Sequence, residues 1–182
     1  PTEKRRDFLR TLLDGRDVAA IAGTHGKTTT TAMLATLGIS ARLDPTVMVG
    51  GDMPAISGTL RIGSDKLMIA EACEYKNSFL RFFPTVAVIL NVEEDHLDFF
   101  KDLQDIEKSF RTFAELTPAN GHVVANRDDE GAREALNGFA RPVFWFSVKD
   151  ETANAYAANV AFFDGKGEFD AVIGGKVYLW GD

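Results

Sequence analysis

The sequence predicts a doubly wound α/β domain with a mostly parallel sheet, a phosphate loop and a small antiparallel C-terminal β-meander. Three observations predict it. Residues 18–22, 67–70 and 86–90 are short apolar runs without polar alternation, as expected of parallel strands covered on both faces. Segments of helical periodicity lie between the strand-like runs, which gives the alternation of an α/β fold. Beyond Ala155 the runs follow one another with only glycine turns between them, which marks a meander.

Taken in order, residues 2–13 place Phe8, Leu9, Leu12 and Leu13 on one helical face, with Gly15 as a C-terminal stop. The run 18–22 is a strand that ends in a glycine turn, and residues 28–37 form the helix that follows, closed by Gly38. Residues 67–70 and 86–90 are two further buried strands, bounded by polar or proline-containing segments. In residues 102–116, Leu103, Ile106, Phe110 and Phe113 recur at spacings of three and four, and Pro118 ends that helix. Residues 122–125, 133–136 and 143–146 then read as strand, helix, strand. Residues 156–163, 168–173 and 176–180 make two hairpins with turns at Asp164-Gly165 and Gly174-Gly175. No repeat or linker interrupts the chain, so residues 1–182 are expected to form a single domain, with the meander as an edge subdomain on the α/β core.

Composition narrows the function. The 182 residues are 45% hydrophobic, enough for a packed core, and 20 Lys plus Arg stand against 27 Asp plus Glu, a formal charge of -7. That sign disfavours a nucleic-acid or anionic-membrane binder, so any phosphate must be held locally. No apolar run reaches the roughly 18 residues of a membrane span, and one cysteine, Cys73, cannot form an internal disulfide. No nucleic acid and no membrane insertion are expected, and a reducing cytoplasm is the expected location. The chain opens on Pro1 and closes two residues after a strand-like run, which suggests a domain excised from a longer protein.

The segment Ala22-Gly23-Thr24-His25-Gly26-Lys27-Thr28-Thr29 sits where an apolar strand gives way to a helix. Phosphate binding needs glycines that let backbone N–H groups curl inward, a helix N-terminus with its partial positive charge, a lysine for the outer phosphates and a hydroxyl for Mg²⁺. All four are present, although the general motif would want a glycine at Ile21. A tight glycine turn is the structural alternative. Against it stands Lys27 followed by Thr28 at a buried strand exit, costly to desolvate unless an anion meets the lysine.

Two more groups lie at strand ends, where open α/β sheets bind ligands. Glu71 ends the run Leu67-Met68-Ile69-Ala70 and offers a hard oxygen to Mg²⁺, or is simply a solvated carboxylate. His96 lies in the acidic cluster Asn91-Val92-Glu93-Glu94-Asp95-His96-Leu97-Asp98, which suggests a cation, or helix capping by Asp95 or Asp98.

The loop from Gly23 to Thr29, Glu71-Ala72-Cys73-Glu74-Tyr75 with Ser78-Phe79-Leu80, and Asn91 to Asp98 together resemble the Mur ligases of peptidoglycan synthesis over essentially the whole chain. The shortened phosphate loop is the form that family uses, and Lys27, Glu71 and His96 are spaced as in it. The resemblance implies the central ATP-binding domain of a three-domain enzyme whose N-terminal UDP-sugar domain and C-terminal domain lie elsewhere in the chain. It further implies that backbone N–H groups of Gly23, Thr24, His25 and Gly26 line the triphosphate of ATP, that Lys27 serves its β and γ oxygens, and that Thr29 caps the helix. Thr28 and Glu71 would bind one Mg²⁺, and His96 a second that links the γ-phosphate to the acceptor carboxylate. The implied reaction phosphorylates the lactyl carboxylate of UDP-N-acetylmuramate, and L-alanine then attacks the acyl phosphate. Catalysis would rest on positioning and charge neutralisation.

Other Mur ligases carry a carbamylated lysine after the histidine motif, whereas the aligned position here holds Arg111, which agrees with the alanine-adding branch; Lys108 lies one helical turn away. Gly50-Gly51 and residues 57–63 resemble the substrate-side loop only loosely and are assigned no contacts. Cys73, Phe79 and Phe82 are expected in the core. The competing readings are a ligase that attaches a recycled tripeptide to the same sugar, a phosphate-loop hydrolase or switch, and a nucleotide-binding scaffold. A second metal-ligand set at Asp95-His96 favours a ligase, because a hydrolase has no acceptor carboxylate to bridge.

Overall fold

The computed structural model describes residues 15–64 and 66–179. The helix expected over residues 2–13 lies outside them, as does Trp180 at the end of the last predicted strand. Among the described residues ten strands form one sheet, β1 (Asp17–Ala22), β2 (Thr46–Met53), β3 (Gly58–Arg61), β4 (Leu67–Glu71), β5 (Val86–Ile89), β6 (His122–Asn126), β7 (Val143–Ser147), β8 (Ala155–Phe163), β9 (Lys166–Ile173) and β10 (Lys176–Leu179). Their spatial order is β10-β9-β8-β7-β6-β5-β1-β4-β2-β3. From β2 to β8 the pairings are parallel, with Ala20 of β1 opposite Ala70 on one side and Ala87 on the other. Antiparallel pairs close both ends. The meander is therefore a continuation of the main sheet rather than a subdomain laid on its edge. It joins through only two register pairs, Phe146 with Ala155 and Ser147 with Tyr156.

Among the described residues three α-helices connect the strands: α1 (Lys27–Ser40), α2 (Leu103–Glu115) and α3 (Glu130–Ala135). Side chains of a strand alternate between faces, and here the two faces carry different helices. Met68 and Ala70 of β4 join Ile106, Phe110 and Phe113 of α2 and Ala132 of α3 in the larger core. Ile69 and Val47 turn the other way, toward α1: Gly38 packs beside Ile69, and Ala35 clusters with Val47 and Val49. Helices on both faces make the sheet doubly wound, as predicted. Within the larger core Phe79 stacks on Phe113 at 4.8 Å and meets Phe110 edge-on at 5.1 Å.

The sequence reading departs from the structure at identifiable places. Gly38 does not close α1, which runs on to Ser40; lacking a Cβ, Gly38 lets the helix approach Pro45 and Ile69. Strands β2 and β3 carry no prediction; Gly50-Gly51, compared above with a loop, lies within β2, and residues 57–63 span β3. Phe79 and Phe82 are core as expected, but Cys73 is exposed, since the chain leaves the sheet after Ala72 and enters a short 3-10 segment, Tyr75–Arg81. No helix among the described residues is long and apolar enough to cross a membrane.

One side chain ties this framework to the strand ends. Asp129 Oδ1 accepts from Ala132 N at 2.7 Å, capping α3, and from Val92 N at 3.0 Å, anchoring the segment that leaves β5. Asp129→Ala removes both bonds and is expected to cost about 2 kcal/mol of stability, read as a lower midpoint in denaturant unfolding at unchanged slope.

Candidate active site

Three neighbouring strands, in the order β5, β1, β4, send their carboxyl ends to one rim of the sheet. The phosphate loop follows β1, Glu71 closes β4, and the segment with Asn91 and His96 follows β5. The parallel order brings together residues that are far apart in sequence.

The loop is shaped by its glycines. Gly23 adopts φ +152°, and a Cβ there would sit 2.9 Å from the Leu90 Cβ, so no larger residue fits against β5. Gly26, at φ 79°, turns the chain into α1 in the left-handed region, with no side-chain cap on the helix. Thr29 is the third residue of α1 and exposed, so it does not cap the helix; glycine holds that position. Asn91 braces the loop, since its Oδ1 accepts from His25 N at 2.7 Å and its Nδ2 donates to His25 O at 3.2 Å. Thr24 N donates to Asn91 O at 3.1 Å, and Thr24 Oγ1 accepts from Glu93 N at 2.9 Å. The Thr24 and His25 amides are therefore engaged with Asn91 in this structure. In the first turn of α1, by contrast, the amides of Lys27, Thr28 and Thr29 have no preceding helical turn to bond, the arrangement that suits an anion. His25 is exposed, with Nε2 3.8 Å from Glu93 Oε2.

Lys27 folds over the loop. Its Nζ donates to Gly23 O at 2.5 Å, Thr24 O at 3.1 Å and Glu74 Oε1 at 3.1 Å, with Glu74 Oε2 at 3.0 Å. Glu74 is 2% exposed, and its Oε2 has no hydrogen-bond partner of good geometry. On the neighbouring strand end, Glu71 Oε2 accepts from Thr28 Oγ1 at 2.9 Å and from Gly50 N at 2.7 Å. Gly50 is needed for that approach, because a Cβ there would lie 2.7 Å from both Glu71 oxygens.

His96 sits with a different group. Its Nε2 is 3.7 Å from Glu74 Oε1 and its Nδ1 is 3.7 Å from Asp95 Oδ1. The Tyr75 ring packs on the imidazole at 4.6 Å, and Tyr75 Oη donates to Asp98 Oδ2 at 2.9 Å. His96 takes a positive φ of 53°, and Asp95 Oδ1 accepts from its backbone N–H at 2.7 Å. Neither Asp95 nor Asp98 caps a helix; Asp102 caps α2 instead. Glu107 lines a pocket together with Glu93, Glu94, Glu130 and Glu134. Burial, then the charges of Glu134 and Glu130, hold its carboxyl above the usual range.

The predicted residues thus fall into two sets, Thr28 with Glu71 and His96 with Asp95, bridged by Lys27 and Glu74. Both sets suit divalent cations: the first offers a hydroxyl and a carboxylate, hard oxygens of the kind Mg²⁺ takes. In the second, ligand atoms of Glu74, Asp95 and His96 all lie within 4.8 Å of one another. Arg111 is occupied elsewhere, donating to the carbonyls of Asn137 and Gly138 at 2.6 and 3.0 Å. Sequence reasoning assigned no role to Glu74, Gly50 or Asn91. For Glu74 the available signal was a second carboxylate three residues past a strand-end carboxylate; for Gly50 nothing in the sequence gave its partner.

Residues 21–179 match the family model described as Mur ligase middle domain. A UDP-N-acetylmuramate--L-alanine ligase of Clostridium novyi is 43% identical over 170 residues, covering 93% of this chain and 37% of that protein. The crystal structure of a UDP-N-acetylmuramate-alanine ligase from Thermotoga maritima superposes at TM-score 0.78 and 26% identity, covering 98% of this chain and 39% of that one. A UDP-N-acetylmuramate:L-alanyl-gamma-D-glutamyl-meso-diaminopimelate ligase from Neisseria meningitides superposes at 0.80 with 28% identity, covering 94% of this chain and 56% of that one. The chain spans little more than a third of the length of the curated relatives it matches.

Proposed function

Because the chain belongs to the Mur ligase family and corresponds to its middle domain, we propose that it is the ATP-binding domain of a cytoplasmic ligase that joins L-alanine to the lactyl carboxylate of UDP-N-acetylmuramate. The observation that carries this reading is the convergence of Lys27, the Thr28–Glu71 pair and the Glu74–His96 group on the ends of three adjacent strands. N-terminal and C-terminal domains of a longer polypeptide would bring the sugar nucleotide and the amino acid.

In this reading the N-terminus of α1 meets the triphosphate, with Gly23 and Gly26 letting the backbone approach closely. The Lys27 ammonium balances charge on the β and γ oxygens as the γ-phosphoryl passes to the acceptor carboxylate. Thr28 with Glu71, and His96 with Asp95, would hold Mg²⁺, which supplies neutralisation of the phosphate oxygens. Asn91 keeps the loop in register with the β5 exit, so the donor phosphate and the acceptor side stay aligned. The acyl phosphate so formed is open to attack by an amine, with loss of inorganic phosphate and formation of the amide.

ADP release by the full-length protein tests the assignment. With Mg-ATP and UDP-N-acetylmuramate present, L-alanine is expected to raise the rate above that with glycine, serine or an L-alanyl tripeptide. Preference for the tripeptide would assign the recycling reaction instead, and ADP release independent of any acceptor would indicate a hydrolase.

A further inference from the structure

We propose that Glu74 is a positioning residue for the phosphate loop: its buried carboxylate fixes the Lys27 ammonium at the loop and lowers the positive charge that an arriving triphosphate meets. The proposal rests on the ATP-binding reading above. Three observations point to it. All three donors of Lys27 are engaged, two by loop carbonyls and one by Glu74, so the ammonium is held in one place before any nucleotide arrives. Glu74 is itself fixed, because its carbonyl accepts from Asn77 N at 2.8 Å and the next turn is pinned by fully buried Phe79. Its Oε2 is buried without a well-formed hydrogen bond, and Oε1 faces both Lys27 and His96, which come from different strand ends.

A buried carboxylate retained for stability alone would have both oxygens satisfied, and an apolar residue of similar volume would do as well. Here the charge is placed where it acts on the nucleotide. The Lys27–Glu74 pair is neutral as a unit, so affinity for the triphosphate is held down while the geometry of the lysine is set in advance. Removing the negative charge leaves Lys27 uncompensated, which strengthens its attraction for phosphate but frees it to move.

The test compares the full-length parent with Glu74→Gln and Glu74→Asp, measuring Mg-ATP affinity by calorimetry and kcat by ADP release. Glu74→Gln is expected to bind Mg-ATP about tenfold more tightly, as loss of one nearby negative charge dictates, and to turn over at least about tenfold more slowly. Glu74→Asp keeps the charge and is expected to match the parent affinity within about twofold. Weaker binding together with slower turnover in Glu74→Gln, or failure of that variant to fold, would assign Glu74 a purely structural role and overturn the proposal. Unchanged affinity and kcat would overturn it equally. A parent that binds no Mg-ATP strikes the ATP-binding reading itself, and this proposal with it.

Discussion

Replacing Lys27 by alanine is expected to lower ATP turnover of the full-length protein by at least about a hundredfold, the scale for losing one preorganised charge partner of a transition state. The ammonium lies over the loop carbonyls of Gly23 and Thr24, where the outer phosphates would sit, and no other cation shares that position among the described hydrogen bonds and ion pairs. The substitution also has a price in stability that the sequence does not reveal. Glu74, 2% exposed, would be left as a buried carboxylate without its counter-ion, a change worth about 3 kcal/mol of destabilisation. The two effects separate in a double variant: Lys27→Ala with Glu74→Gln should recover most of the melting temperature and none of the turnover. Thermal melts and initial rates of ADP release on the same preparations check this. Turnover within tenfold of the parent in Lys27→Ala would reject the loop assignment.

Glu71→Ala is expected to raise the Mg²⁺ concentration for half-maximal activity by at least about tenfold, with a corresponding loss of rate at low Mg²⁺. The carboxylate stands 2.9 Å from the Thr28 hydroxyl and accepts from Gly50 N at 2.7 Å, so its oxygens are already turned toward the hydroxyl that would share the cation. Removing it takes away a hard ligand and the group that orients Thr28, and groups that orient metal ligands alone cost 10- to 100-fold in metal affinity. Titration of activity against Mg²⁺ in parent and variant is the measurement. Equal midpoints would remove Glu71 from the cation site. Because Gly50 N loses its acceptor but stays near solvent, the melting temperature should move little.

What the sequence revealed and what it withheld have separate physical causes. Buried parallel strands have a strong signature, so β1, β4, β5, β6 and β7 are all evident from apolar runs, and α2 from its periodic Leu103, Ile106, Phe110 and Phe113. Strand β2 is hidden because Gly50-Gly51 breaks its run, yet Gly50 allows the approach of Glu71 and Gly51 lies against Thr28 rather than making a turn. Candidate site residues whose chemistry is local, such as Lys27 after glycine or a carboxylate ending a strand, can be nominated from the sequence alone. Glu74 cannot, since what distinguishes it from any other acidic residue is being buried beside a lysine 47 positions earlier in the chain. Asn91 is the same kind of case: its bonds to His25 exist only because β5 lies beside β1. Sequence order carries the strands, and strand adjacency carries the site.

The two-pair seam between β7 and β8 divides the sheet into regions of unequal cooperativity. Strand β1 is laddered on both sides by β4 and β5, so the three strand ends that bear Lys27, Glu71 and His96 open only when the central ladder itself opens. The ladder amides of β1, β4 and β5 are expected in the slowest-exchanging unit, at free energies close to global unfolding. The hairpins of β8, β9 and β10 can part at the seam at far lower cost and exchange with solvent while the nucleotide end stays folded. Substitutions in the meander are thereby expected to leave the strand ends in the opposite half of the sheet folded.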